Sequence, residues 1–489
     1  MPASAAGTRT STSLRPAART RPNIVFILTD DLSLDLLRFM PHVRAMEQHG
    51  LTFEDYFVSD SLCCPSRASI FTGDFPHDTR VFGNFGPQGG FPAFHRRHEE
   101  RHTFAVALRR TGYLTAMMGK YLNGYMGSSG EAADGSISAV PANYVPPGWS
   151  EWDVAGWGYP EFNYTLNEDG RLHRYGHQPS DYLTDVLAHK GTTFIARAAR
   201  SGRPFFLELA TFAPHSPYVP APRNANDFPT LRAPRPPSFD TLPTDAPEWL
   251  RTHPPLTASQ EAQIDQVFRL RAQSVQAVDQ MIGAIERQLR ASGIAGDTYI
   301  VFSSDNGLHT GEYRLMPGKL TAFDTDIRVP LVVTGPGVPA DSRTSAVAEN
   351  VDLAETFAAI GRTRLAGDGH SLLAWWEGKS PGGWRNAALV EHHGSRLSLL
   401  DPDFQQPASG SPTTYEAMRT RSFLYVEYAD GEREFYDLRT DPFELKNIAD
   451  RLTRRQLVAL HRDLRGMERC HGERSCWRAM HVPALAGSW

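Results

Sequence analysis

Apolar residues in this chain gather into short unbroken runs, and three of those runs stop abruptly at polar groups. NIVFILTDD, from Asn23 to Asp31, ends in two acids. RPFFLELATFAPH (203–215) ends at a histidine, and DTYIVFSSDNG (297–307) ends in an acid, an amide and a glycine. Runs of this length without alternation predict strands buried on both faces. VPLVVTGPG (329–337) is a fourth candidate strand. Stretches with apolar spacing near the helical period lie between them. LRFMPHVRAMEQHG (37–50) predicts a helix closed by Gly50 as its C-cap, and SDYLTDVLAHKGTTFIARAAR (180–200) one opened by Ser180 as its N-cap. SQEAQIDQVFRLRAQSVQAVDQMIGAIERQLRASG (259–293) is the longest. Strands alternating with helices predict an α/β fold, a large mostly parallel sheet sandwiched by helices. Ligands in such folds bind beyond the carboxyl ends of the strands, which is where the acids fall.

The texture changes along the chain. Residues 1–21 are rich in Ala, Ser, Thr and Arg with no apolar stretch, and read as a disordered tail. A catalytic domain is expected over 22–378, interrupted by a Pro-rich surface excursion at about 217–255. Over 379–489, FLYVEY and REFYDL flank the hairpin signal ADGE, and LTRRQLVALHRDLRGM follows as an amphipathic helix. A small α+β C-terminal subdomain is therefore expected. The 489 residues carry 50 basic and 55 acidic side chains, a net charge of −5, which argues against a nucleic-acid partner. No apolar run approaches the roughly 20 residues of a membrane span. The tail has no signal-peptide core, yet its small-residue start would suit a chain trimmed after export. Cys470 and Cys476 are close enough for a small-loop disulfide. Both features favour a secreted or periplasmic protein.

Asp30 and Asp31 follow one predicted strand, and Asp305 and Asn306 follow another. Singly, acids at strand ends cap loops and helices. Together, three carboxylates and an amide oxygen at one sheet edge would suit a hard divalent cation, Ca²⁺ or Mg²⁺. SLCCPSRASIFTG (61–73) places Cys63 beside Cys64. Neighbouring cysteines rarely bridge each other, because a disulfide needs a larger Cα separation than one peptide step gives. No second Cys or His pair at zinc-ligand spacing lies nearby.

CCPSRASIFTG resembles the signature of the formylglycine-dependent sulfatases, Cys-x-Pro-Ser-Arg followed by Thr-Gly. The resemblance extends from Asn23 to Asp450. SDNGLHTGEYRLMPGKLTAFDTDIRVPLVVTGPGV (304–338) looks like the family's second metal and lysine segment, MGKYLNGY (118–125) and APHSP (213–217) like its sulfate-binding segments, and EFYDLRTDPFELKNIAD (434–450) like its C-terminal strand and turn. GKYLNGY, FNYTLNEDG, SDYLTDVLA and APHSPYVPAP are most similar to the N-acetylglucosamine-6-sulfatase branch, which some arylsulfatases share.

The resemblance implies an alkaline-phosphatase-like fold and a sulfuric ester hydrolase. It places Cys63 as the residue oxidised to formylglycine by a formylglycine-generating enzyme, whose recognition core Pro65 and Arg67 match. It implies metal ligation by Asp30, Asp31, Asp305, Asn306 and the modified Cys63. It makes Lys120, Lys319 and His215 sulfate clamps, and Arg67 a stabiliser of the nucleophile. The chemistry accounts for the modification. A plain Ser or Cys nucleophile would become sulfated and stay so. A formylglycine hydrate has two hydroxyls on one carbon: one takes the sulfate, and deprotonation of the other expels it and restores the aldehyde. Pro65 suits the first turn of a helix starting just after Cys63, whose N-terminus favours an anion. Cys64 reads as a small buried thiol.

One departure stands out. Much of the family has a His two residues after the Gly-Lys lysine, whereas Lys120 is followed by Tyr121, Leu122 and Asn123. Asn123 could orient the hydrate but cannot act as a base. His309, close after the metal segment, is then the candidate general acid or base. His77 and Asn84 in GDFPHDTRVFGN (73–84) are expected near the pocket rim, and Asn163-Tyr164-Thr165 matches a glycosylation acceptor. The expected substrate is 6-O-sulfated N-acetylglucosamine in glycosaminoglycan-type glycans. The alternatives are a broad-specificity arylsulfatase acting on aryl sulfates, a phosphodiesterase or phosphonate hydrolase of the same superfamily, and, least favoured, a non-catalytic glycan-binding relative.

Overall fold

Ten strands form the central sheet of the computed structural model, which describes residues 21–127, 140–394, 401–404 and 406–483. The tail expected at 1–21 therefore lies outside the described residues, apart from Arg21. The sheet's middle is parallel: Thr298–Ser304, Asn23–Thr29, Phe205–Ala210, Leu114–Lys120 and Glu151–Ala155 lie side by side in that order. The antiparallel Leu331–Thr334 and the pair Leu51–Phe53 and Ser342–Thr344 extend one edge, and Thr165–Glu168 and Arg171–Arg174 the other. Strand residues alternate between two apolar layers. Ile24, Phe26 and Leu28 face the layer that holds the helices Cys63–Thr72, Phe104–Arg110 and Val351–Ile360. Val25 and Ile27 face the layer under Pro41–His49, Leu183–Ser201 and the 34-residue helix Ala258–Ala291.

The four apolar runs are strands, but Leu331–Thr334 runs against its neighbours. The strand Leu114–Lys120 was not legible, because LTAMMGK is short and poor in the branched and aromatic residues that mark strands. Two helix ends differ from expectation. Gly50 is extended, at φ −147° and ψ −157°. A Cβ there would lie 2.1 Å from the Val333 carbonyl oxygen, so close chain approach rather than a left-handed cap requires glycine. Ser180 sits in a single turn, Pro179–Asp181, and the helix itself begins at Leu183 with Tyr182 at the N-cap. The long helix opens on a reciprocal cap, in which the Thr257 side chain accepts from Gln260 N while the Gln260 side chain accepts from Thr257 N. The Pro-rich stretch contains only short helical turns. It is anchored at both ends of its course: Ala221 and Leu250 are buried, and Thr244 N donates to Leu445 O.

Past the helix Leu373–Trp376, Ala387–His392, Tyr415–Thr420, Phe423–Tyr428 and Arg433–Asp437 form an antiparallel four-stranded sheet. Its residues also alternate. Ala388, Val390, Tyr415, Leu424 and Tyr436 join the core beneath the Cys63 helix, whereas Leu389, Met418, Tyr425 and Phe435 pack on Leu460, Leu464 and Met467 of the helix Arg454–Met467. Cys470 and Cys476 are joined in a disulfide. No helix among the described residues is long and apolar enough to cross a membrane.

Candidate active site

Four neighbouring parallel strands deliver their next residues to one place. Asp30 and Asp31 follow Asn23–Thr29, and Asp305 and Asn306 follow Thr298–Ser304. Lys120 ends Leu114–Lys120, and His215 lies just beyond Phe205–Ala210. Asp31 is held in the left-handed region at φ 63°, with its N–H directed at Asp305 Oδ1 at 3.2 Å. Gly119 also has positive φ, 107°, and a Cβ there would lie 1.9 Å from Ala210 O. Only glycine lets this strand turn beside its neighbour and aim Lys120 into the cluster.

Cys63 opens the helix Cys63–Thr72, every residue of which is buried. The N–H of Cys64, one of the donors a helix start leaves unpaired, is taken by Asn84 Oδ1 at 3.0 Å. Cys63 Sγ lies 3.1 Å from Asp30 Oδ1, 3.9 Å from Asp31 Oδ1 and 2.9 Å from Lys319 Nζ. Burial, with Asp30 and Asp403 nearby, pushes its thiol well above the ordinary range. Arg67 is fully buried one turn on. Its Nε donates to Asp305 Oδ2 at 2.7 Å and its Nη1 to Lys120 O at 2.9 Å. Burial alone would raise the Asp305 carboxyl, but Arg67, Lys120 and Lys319 outweigh it and hold that group at about 2. Asp30 is pushed up to about 6 by burial, which Lys120 only partly offsets.

The basic groups close over these acids. Lys120 Nζ pairs with Asp30 Oδ2 and lies 5.0 Å from the Tyr159 ring centre. Lys319 Nζ is 2.6 Å from Asp31 Oδ1 and 2.6 Å from Asp403 Oδ1. His215 Nε2 is 2.6 Å from the same Asp403 oxygen and 3.6 Å from Asp31 Oδ2, while Nδ1 donates to Ser216 O at 2.6 Å. Burial opposes charge on His215, but Asp31, Asp403 and Asp30 prevail and raise it to about 9. Asn123 Nδ2 donates to Tyr159 Oη at 3.3 Å. A 460 Å³ cavity leads outward from here, lined by Asp31, His215 and Asp403 and by neutral side chains such as Tyr218, Gln263 and Met316.

The acids fit a divalent cation. Asp30, Asp31, Cys63 and His215 can each offer a ligand atom, all within 4.8 Å of one another. Asn306 Nδ2 is spent on Asp31 Oδ1 at 2.7 Å and Gly307 O at 2.8 Å, which leaves its buried Oδ1 as an acceptor with no donor among the described residues. An oxygen-rich set with an orphaned amide oxygen suits a hard cation.

Two expectations change. His309 is not brought into the cluster. Its Nδ1 is 3.0 Å from Asp326 and its Nε2 3.0 Å from Ser409 O, so both ring nitrogens are occupied. Its backbone pairs with Gly318, next to Lys319, so it braces that lysine's segment. His77 is not at the rim: it bonds Glu391 at 2.9 Å and Cys470 O at 2.8 Å, against the C-terminal sheet. Asn84 does reach the site, donating to Asp403 Oδ2 at 2.6 Å. Sequence reasoning missed Asp403 and Tyr159. The acids of DPDF (401–404) follow no strand and match no quoted motif.

A sulfatase family model matches residues 22–361, and a model of the N-sulphoglucosamine sulphohydrolase C-terminal region matches 311–469. The chain is 34% identical to the N-acetylglucosamine-6-sulfatase of Capra hircus, over 92% of this chain and 84% of that one. It is 30% identical to an arylsulfatase of Volvox carteri, over 97% and 79%. Its fold is similar to that of a protein solved with its substrate D-glucosamine-2-N,6-O-disulfate (TM-score 0.70, 23% identity, 91% and 97% covered). It is also similar to the phosphonate monoester hydrolase of Agrobacterium radiobacter (0.67, 22%, 92% and 96%). With the Cys63 helix, the acid pairs and the converging basic groups in place, these matches establish that the chain belongs to the sulfatase family and is a sulfuric ester hydrolase.

Proposed function

We propose that this sulfatase removes 6-O-sulfate from N-acetylglucosamine residues of glycosaminoglycan-type glycans, with formylglycine made from Cys63 as its nucleophile. The observation that carries the reading is the position of Cys63. It heads a buried helix within 3.1 Å of Asp30 and 2.9 Å of Lys319, so a reacting atom there meets acids and ammonium groups together. The substrate follows from the relatives: the goat and human proteins named N-acetylglucosamine-6-sulfatase match over most of their length.

Asp30, Asp31, Asp305, Asn306 and the modified Cys63 would hold the divalent cation, Ca²⁺ or Mg²⁺, which supplies Lewis-acid polarisation of a sulfate oxygen. The modified residue supplies a hydrated aldehyde as nucleophile. This chain's own groups do the remainder. Lys120, Lys319 and His215 grip the sulfate oxygens, and the amide groups at the start of the Cys63 helix add partial positive charge. Arg67 fixes Asp305 and the Lys120 carbonyl, and so the direction in which Lys120 leaves its strand. His215 donates from Nδ1 to the Ser216 carbonyl, and Asp31 and Asp403 keep the second proton on Nε2, which Asp403 accepts, so the ring is cationic beside the ester. Asn123 holds Tyr159 beside Lys120. His309 and Asp326 keep the Lys319 segment in place. Pre-placed charge of this kind is usually the largest catalytic contribution.

A formylglycine-generating enzyme is the required maturation partner. A secreted or periplasmic location is supported by the Cys470–Cys476 disulfide and by similarity to an extracellular sulfatase homologue of Drosophila melanogaster, 32% identical over 79% of this chain. The test is mass spectrometry of the Cys63 peptide from protein made with a formylglycine-generating enzyme, followed by turnover of 6-sulfated N-acetylglucosamine. An aldehyde at Cys63, a thiol at Cys64 and sulfate release are expected. Full turnover by protein whose Cys63 is an unmodified thiol would overturn the mechanism. An aldehyde-bearing enzyme that releases sulfate only from aryl sulfates would favour the broad arylsulfatase reading.

A further inference from the structure

Asp403 occupies an unusual position for an acid in an anion-binding site. Its Oδ1 accepts from both Lys319 Nζ and His215 Nε2 at 2.6 Å, and its Oδ2 accepts from Asn84 Nδ2 at 2.6 Å. The residue is 3% exposed. Burial favours its neutral form, but Lys319 and His215 outweigh burial and hold its carboxyl well below the usual range. The position is built. Asp401 Oδ1 accepts from the Asp403 N–H at 3.0 Å and from Asn84 Nδ2 at 3.1 Å. Asn84 in turn takes the Cys64 N–H, so one amide side chain ties the acid to the start of the nucleophile helix.

Two of the three groups read as sulfate clamps therefore face this carboxylate, which adds to the acids Asp30 and Asp31 already beside them. The cavity leading outward offers nothing to offset it: among its described lining residues there is no Lys or Arg, and its charged groups are Asp31, His215 and Asp403. A sulfate monoester carries one negative charge at neutral pH. A phosphate monoester of the same shape carries close to two above its second ionisation near pH 6. Like charges a few ångströms apart in a buried site repel strongly.

We infer that Asp403 is a specificity-determining residue for charge, matching the site to a singly charged ester group and rejecting a doubly charged phosphate monoester of the same alcohol. The inference rests on Lys319 and His215 being sulfate clamps. It concerns the headgroup of the ester rather than the sugar.

The test uses the full-length, formylglycine-bearing enzyme and three phenyl esters. Phenyl sulfate is the substrate. Phenyl phosphate is the dianion, and phenyl methylphosphonate is a monoanion of nearly the same shape. Inhibition constants of the two phosphorus esters against phenyl sulfate turnover are compared between wild type and Asp403→Asn. For a variant without turnover, dissociation constants from calorimetry serve instead. At pH 8 the variant is expected to gain about a hundredfold in affinity for phenyl phosphate relative to phenyl methylphosphonate. Equal changes for both esters, or none, would overturn the inference. Should the variant not fold, the wild type decides: its affinity for phenyl phosphate must rise, relative to the phosphonate, as pH falls through about 6. A flat ratio would overturn the inference there too. A wild type that carries the aldehyde yet turns over no sulfate ester would instead sink the clamp reading on which it rests.

Discussion

Arg67 joins the acid that follows the strand Thr298–Ser304 to the end of the Lys120 strand through one guanidinium. It spans Asp305 Oδ2 and the Lys120 carbonyl from a fully buried position. Removing it strands a buried carboxylate, a loss of about 3–5 kcal/mol. Arg67→Lys keeps the charge, but one compact ammonium cannot reproduce the planar fork. We expect Arg67→Ala to unfold at markedly lower urea and Arg67→Lys to retain most stability while losing about 10²-fold in kcat/KM per aldehyde-bearing molecule. The aldehyde at Cys63 is counted by mass spectrometry, because Arg67 also matches the recognition core of the maturation enzyme. Wild-type turnover by Arg67→Lys would show that the fork does not matter. At this scale the sequence disclosed residues that sit in ordered motifs at strand ends: Asp30, Asp31, Cys63, Lys120, Asp305 and Lys319. It misdirected His309, because closeness to Asp305 in the chain does not fix where a side chain points. The backbone bridge to Gly318 turns that imidazole toward Asp326 and Ser409. Asp403 was hidden for the converse reason. It comes from far along the chain, out of a loop with no periodicity, and only the fold brings it to Lys319.

Elements were legible where burial is two-sided. The central strands are apolar throughout because helices cover both faces, and their polar ends mark the edge where the site lies. Strand direction was not legible, since VPLVVT carries no sign of running antiparallel. The strand Leu114–Lys120 shows how an element can be required by one residue. Gly119 turns at φ 107° against Ala210 O, where an added Cβ would sit 1.9 Å away. Gly119→Ala must therefore shift the strand end or the neighbouring carbonyl, and Lys120 moves with it. A loss of about 2–4 kcal/mol in stability and at least about tenfold in kcat/KM is expected, checked by urea unfolding and turnover of an aryl sulfate. If the alanine variant matched wild type in both, the close approach would not be what holds Lys120 in place.

Across the whole molecule, the late-sequence sheet completes the core beneath the nucleophile helix, and His77 ties the two parts together. Its Nδ1 meets Glu391 of strand Ala387–His392 at 2.9 Å, and its Nε2 meets the carbonyl of Cys470, beside the disulfide. Asp78 is its chain neighbour, Phe75 stacks on its ring and the His471 ring meets it edge-on. Burial works against charge on His77, but Glu391 dominates and raises it from 6.5 to about 9. A histidine whose folded value is raised binds its proton more tightly in the folded state. The stabilisation is thus complete below about pH 6.5, where both states are protonated, and declines as pH rises through about 9. We expect His77→Gln to be less stable than wild type by about 1–3 kcal/mol near pH 6.5, with the two converging toward pH 10. Unfolding midpoints measured for both proteins from pH 6 to 10 decide it. A difference that stays constant across that range would mean that His77 acts through packing alone, and that the tie between nucleophile helix and C-terminal sheet is not electrostatic.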